Sequence, residues 1–88
     1  MQVEQSSQFK KSYKKLYSNQ LPEMNEAIEA IIADPNIGEK KHGDLSWLRV
    51  YKFKMIEQLI LIGYSIDNDI LTFIAFGPHE NFYRDIKK

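Results

Sequence analysis

From Gln58 to Ile66 the chain reads Gln-Leu-Ile-Leu-Ile-Gly-Tyr-Ser-Ile, apolar at nearly every step. The run does not alternate, so as a strand it can leave neither face to water. A strand of this kind belongs at the centre of a sheet with cover on both sides. Asp67-Asn68-Asp69 follows as a turn signal, and Ile70 to Phe76 resumes a strand pattern. The pair predicts an antiparallel hairpin. Gly77-Pro78 then breaks the second strand. On the other side, Leu45 to Met55 alternates and is rich in aromatic and branched residues, which predicts a further strand.

Cover for this sheet must come from the N-terminal half. From Ser7 to Tyr17, the residues Phe9, Tyr13, Leu16 and Tyr17 fall at helical spacing, with Ser6 or Ser7 available as a cap. Pro22 suits the first turn of a second helix. In it Met24, Ala27, Ile28, Ile31 and Ile32 form an apolar stripe, and Asp34-Pro35-Asn36 ends it. The expected architecture is α+β: an N-terminal helical hairpin packed on a small antiparallel β-sheet, with a short C-terminal helix or tail. Val3 and its neighbours could add an edge strand. The whole chain, residues 1–88, is expected to form one domain.

Composition narrows the function classes. The chain has no cysteine, which excludes disulfides, thiolate metal sites and a cysteine nucleophile. No histidine–carboxylate cluster has metal-ligand spacing, so neither a metal nor another cofactor is expected. No apolar run reaches the roughly 18 residues of a membrane span, and Met1 to Ser7 lacks the charged and apolar regions of a signal peptide. A cytoplasmic location without membrane contact is expected. The formal net charge is zero, which argues against a general nucleic-acid binder. Local charge is more informative: basic residues gather at Lys10 to Lys15, at Lys40 and Lys41, and at Arg49, Lys52 and Lys54.

Val50-Tyr51-Lys52-Phe53-Lys54-Met55 is the segment that carries chemistry. On a strand, Lys52 and Lys54 share one face while Tyr51, Phe53 and Met55 share the other. The aromatic side should meet the helices, leaving the lysines, with Leu48 and Val50, on the opposite face. Two ammonium groups about 7 Å apart repel each other, and a phosphate between them would relieve that repulsion. The plain alternative is a solvated strand face. His79 and Tyr83, four residues apart, share a face if the tail is helical. A histidine there can transfer a proton or simply occupy a turn. Tyr83 can act in a site or anchor the tail. Glu80 and Arg84 are spaced for a surface ion pair, and Trp47 is expected in the core. Arg49 lies on the opposite strand parity to the lysines and could meet a phosphate or a protein partner.

With these residues in view, the chain resembles the RelE/ParE superfamily of type II toxin–antitoxin toxins. The resemblance rests on the helical hairpin followed by a sheet and on the Asp34-Pro35 helix exit. It rests further on Gly43-Asp44-Leu45 leading into Leu48 to Lys54, and on the ending Phe76-Gly77-Pro78-His79-Glu80-Asn81-Phe82-Tyr83-Arg84-Asp85. It implies that Lys52 and Lys54 match the two catalytic lysines of the RelE-like Tyr-Lys-apolar-Lys strand. It also implies that Tyr83 matches the functional tyrosine after the last strand, and that His79 stands in for an arginine there. Arg49, Gln58 and Arg84 are the candidate substrate-binding residues. Gln58 lies where the family commonly has an arginine that holds phosphate.

The same resemblance implies a toxin that inhibits translation as a ribosome-dependent, metal-independent endoribonuclease acting on messenger RNA. The alternative is a ParE-like inhibitor of DNA gyrase without nuclease activity. In either case a cognate antitoxin protein is the implied partner. Because the central strand is apolar on both sides and the two helices cover only one, the lysine face needs further cover. That cover must be the chain's own tail or a second protein.

Overall fold

The computed structural model describes residues 1–86. The elements run β1 (Gln2–Gln5), α1 (Ser7–Lys14), α2 (Leu21–Ala33), β2 (Glu39–Lys40), β3 (Arg49–Met55), β4 (Gln58–Asp67), β5 (Ile70–Pro78) and α3 (His79–Ile86), with a 3₁₀ turn at Gly43–Leu45. The sheet order is β1-β5-β4-β3-β2, so the apolar strand β4 is central, as its composition requires. Pairing is antiparallel from β2 through β5. The edge strand β1 exists but runs parallel to β5, so the sheet is mixed rather than purely antiparallel.

Ser6 caps α1 by accepting a hydrogen bond from the Phe9 N–H at 3.0 Å. The helix stops at Lys14, short of the expected Tyr17, which is 76% exposed and lies outside the apolar stripe. Phe9 is the buried anchor of α1; its ring lies 5.3 Å from Phe73 and 5.2 Å from Phe76. In α2, Met24, Ala27 and Ile31 are buried, while Ile32 at the edge of the stripe is exposed. These side chains meet Met55, Ile60, Ile62, Tyr64, Leu71 and Phe73 in the larger core, with Tyr51 and Phe53 packed against it.

The other side of the sheet has a smaller core of Leu48, Val50, Leu61, Ala75 and Phe82, against which Tyr83 and Ile86 pack. The chain's own tail therefore supplies the second cover, as a helix. Trp47 does not join either core and is 47% exposed. The reason is local: the 3₁₀ turn delivers Leu48 to the core seat, with its N–H donating to the Leu45 carbonyl at 2.9 Å, and Trp47 is turned outward.

Both hairpins close through two-residue turns whose residues all have positive φ: Ile56 (49°) with Glu57 (64°), and Asn68 (51°) with Asp69 (63°). Asn and Asp tolerate that backbone, but a β-branched isoleucine strains it. The Glu23 carboxylate of α2 holds the strained turn by accepting the Ile56 N–H at 2.8 Å. Ile56→Asn with Glu57→Gly is expected to raise stability by about 1–2 kcal/mol in urea unfolding, the scale of left-handed strain in L-residues. No gain would mean that the turn is not strained.

Candidate functional site

The site is built on the side of the sheet that α3 covers. Lys52 pairs with Leu61, and Leu61 pairs with Gly77, so the three share one row across β3, β4 and β5. Lys52 and Gly77 therefore lie about 10 Å apart, two strand spacings. Lys54 sits one strand repeat further along the same face, paired with exposed Leu59. Both lysines are exposed. Among the described residues neither forms an ion pair; the pairs present are Lys41 with Glu39, at 2.6 Å, and the Met1 amino group with Asp69, at 3.8 Å.

Pro78 ends β5 and α3 begins at His79, just beyond that row. Phe82 pins the helix by seating its ring over Gly63, where a side chain would collide with it. Pinned this way, α3 carries His79 and Tyr83 together: their rings meet edge-on with centroids 5.5 Å apart. The Phe82 and Tyr83 rings also meet edge-on, at 5.0 Å. The helical spacing of His79 and Tyr83 thus places them on one face, and the anchoring role of Tyr83 is visible in its packing on the smaller core.

Strand β2 adds two side chains that sequence reading did not single out as a pair. Lys40 and Lys41 read as one basic cluster, but a strand sends them to opposite faces. Glu39 pairs with Val50, so Glu39 and Lys41 fall on the lysine face. The Lys41 ammonium lies 5.6 Å above the Tyr83 ring while bonding Glu39. That bond, with the charge of Lys41 behind it, lowers the Glu39 carboxyl below its ordinary range; Lys52 and His42 act in the same direction. The bond to Glu39, with a further effect of the nearby Tyr83 side chain, raises the Lys41 ammonium above its ordinary range. Glu39 is thereby committed to Lys41, and Lys52 stays free of it.

The remaining candidates lie elsewhere. Arg49 sits on the hairpin side of the sheet, as its parity requires, and donates to the Gly38 carbonyl at 2.9 Å. Gln58 is exposed at the start of β4 and pairs with Met55, on the parity opposite to the lysines. Arg84 is on α3, but its guanidinium donates to Asn81 at 2.8 Å; the expected pair with Glu80 is not formed. Strand parity puts Lys52 and Lys54 on the side that α3 covers with His79 and Tyr83. Lys54, on a part of β3 that β2 does not pair, also lines a cleft with Glu23 and Glu26 of α2. Arg49 and Gln58 have the opposite parity. No described helix is long and apolar enough to cross a membrane.

Two solved structures share this fold. A chain of the intact E. coli RelBE toxin–antitoxin complex is 16% identical, with a TM-score of 0.67, over 88% of this chain and 94% of that chain. A double arginine-to-alanine mutant of E. coli RelE in the free state is also 16% identical, with a TM-score of 0.68, over 98% of this chain and 94% of that one. A search of curated proteins found no match. The family model for the ParE-like toxin of type II bacterial toxin–antitoxin systems matches residues 3–87. The chain therefore belongs to the ParE-like toxins of type II bacterial toxin–antitoxin systems, within the RelE/ParE superfamily.

Proposed function

We propose that this toxin is a ribonuclease of the RelE kind, cutting messenger RNA on the ribosome. The observation that supports the reading is that Lys52 and Lys54 are exposed, form no ion pair among the described residues, and share the strand parity of the side on which α3 carries His79 and Tyr83. In the reaction a ribose 2′-hydroxyl attacks the adjacent phosphorus and the bond to the 5′-oxygen breaks, leaving a 2′,3′-cyclic phosphate and a 5′-hydroxyl. Charge builds on the phosphoryl oxygens during attack. Preorganised ammonium groups are suited to stabilise it. His79 would carry a proton between the entering and leaving oxygens, and Tyr83 would orient the histidine or the phosphate. The ribosome would complete the geometry by holding the RNA in line. RelBE, a toxin–antitoxin complex, is among the fold neighbours. It supports an antitoxin partner here, whose carboxylates would pair with Lys52 or Lys54 and compete with the RNA.

Lys52→Ala with Lys54→Ala is expected to relieve growth arrest and to lower cleavage by about 10²–10⁴-fold, the usual weight of such groups. The fold should survive, since both side chains are exposed. Mapping RNA 5′ ends after induction is the direct measurement. Undiminished toxicity in the double variant would overturn the assignment. Supercoiling defects without new RNA ends would transfer the protein to the gyrase-inhibiting reading.

A further inference from the structure

A second polar cleft opens on the hairpin side of the sheet, at its β2 edge. It encloses about 360 Å³, within the range of ligand pockets, and is lined by Asn36, Lys40, Ser46, Trp47, Arg49 and Ile66. Its lining holds two cations and no carboxylate. Lys40 is in no ion pair among the described residues, and Arg49, which lines the cleft, bonds the Gly38 carbonyl through one of its nitrogens. Asp34, just upstream, has a carboxylate oxygen engaged by the Asn36 N–H at 3.2 Å. Beside the cations stands an indole that is 47% exposed in a chain with one tryptophan. Large aromatics are normally buried in so small a fold, and here Leu48 takes the core position instead.

We propose that this cleft binds one nucleotide of single-stranded RNA, apart from the lysine site. The base stacks on the Trp47 indole, the flanking phosphate meets Lys40 and Arg49, and the Asn36 amide and Ser46 hydroxyl bond the base edge. Stacking beside cations is how single-stranded nucleic acid is held without sequence demand. Trp47 also walls a neighbouring cleft with Asp44, Leu45 and Ile86, on the side where α3 lies, so it stands at the rim between the two faces. An RNA strand leaving the lysine face over this rim would meet the indole first. The choice of RNA rests on the ribonuclease reading; the cleft itself does not.

Because Trp47 is the chain's one tryptophan, its fluorescence reports what reaches the indole, and Lys40, which lines only the first of the two clefts that share it, tells them apart. The measurement uses the Lys52→Ala/Lys54→Ala variant and a uridine hexamer, so that failure of the lysine site does not affect it. The hexamer is expected to quench Trp47 saturably, and the logarithm of the binding constant should fall with log salt at about −0.7 per phosphate held. Lys40→Ala should weaken binding several-fold and reduce that slope by about 0.7. Trp47→Ala, followed by anisotropy of a labelled hexamer, should weaken binding about tenfold or more. No saturable quenching, quenching unchanged by Lys40→Ala, or binding unchanged by Trp47→Ala would overturn the proposal. Equal quenching by a hexaglutamate peptide would also overturn it and assign the cleft to an acidic protein segment.

Discussion

Gly63→Ala is expected to unseat α3 while leaving the helical-hairpin side of the sheet folded. A β-carbon at residue 63 would lie 2.6 Å from the Phe82 Cζ and 3.1 Å from the Leu48 Cδ1. Both neighbours are buried, and neither can give way without disturbing the smaller core. Overpacking a core costs about 1–3 kcal/mol, and losing a buried phenylalanine altogether costs about 3–5 kcal/mol. We expect a loss of about 2–4 kcal/mol in urea unfolding, with hydrogen-exchange protection lost first in α3. Phe82→Leu in the same chain should return part of it, a non-additivity that a general weakening of the fold would not produce. Since α3 carries His79 and Tyr83, toxicity should fall although Lys52 and Lys54 are untouched. Wild-type stability with a protected α3 would show that the glycine is dispensable.

Tyr64→Phe is expected to be nearly as damaging, on the other side of the sheet. The Tyr64 hydroxyl donates to the Pro35 carbonyl at 2.6 Å and accepts from the Gly38 N–H at 2.9 Å. Removing one oxygen leaves a backbone donor and a backbone acceptor without that partner, at about 1–3 kcal/mol for each group that stays buried. We expect a loss of about 2–3 kcal/mol, with the chain from α2 to β2 loosening first. Burial raises the Tyr64 phenol above its ordinary range, against a smaller opposing effect of its bond to Gly38. The folded chain therefore holds that proton to higher pH than the unfolded chain does. The associated stability is complete below the ordinary tyrosine range and is lost as pH rises through the raised value. Lys41, also raised, loses stability in the same direction. The alkaline decline measured by unfolding at stepped pH should thus be shallower in Tyr64→Phe, not absent. An unchanged decline would remove Tyr64 from the account.

The residues that were legible in the sequence are those whose neighbours are set by period alone. The run from Gln58 to Ile66 reads as a doubly covered central strand, and β4 is one from Ile60 to Tyr64, while Leu59 and Ile66 at its ends are exposed. Strand parity put Tyr51, Phe53 and Met55 under the helices, where they pack, and gave the two lysines the opposite parity, although Lys54 also reaches a cleft beside Glu23 and Glu26. What was not legible depends on where the chain returns in space. Nothing around Gly63 says that a phenylalanine far along the chain will lie on it. The outward turn of Trp47 follows from the 3₁₀ turn before β3, not from hydrophobicity. Ile56-Glu57 lacks the Asn or Gly that marks a left-handed turn, so its geometry shows only as strain. The Glu39–Lys41 pair needed β2, a strand too short to have a period. Of the candidate site, the lysines and the His79–Tyr83 spacing could be read; the commitment of Arg49 to a loop carbonyl could not.

The parallel docking of β1 beside β5 has a bearing on how the toxin is made. Gln2 to Gln5 align with Ile70 to Phe73, so an early strand waits for a late one before it can hydrogen-bond. Chains emerge N-terminus first, and contacts between remote segments close slowly. The hairpin of helices can gather early, but it has no completed sheet to rest on until β5 is out. Beyond β5, α3 must still follow before His79 and Tyr83 can take their places. Until α3 has emerged, a nascent chain of this topology has no assembled candidate site. The interval between synthesis and closure is then the period in which a partner can meet the toxin before it acts.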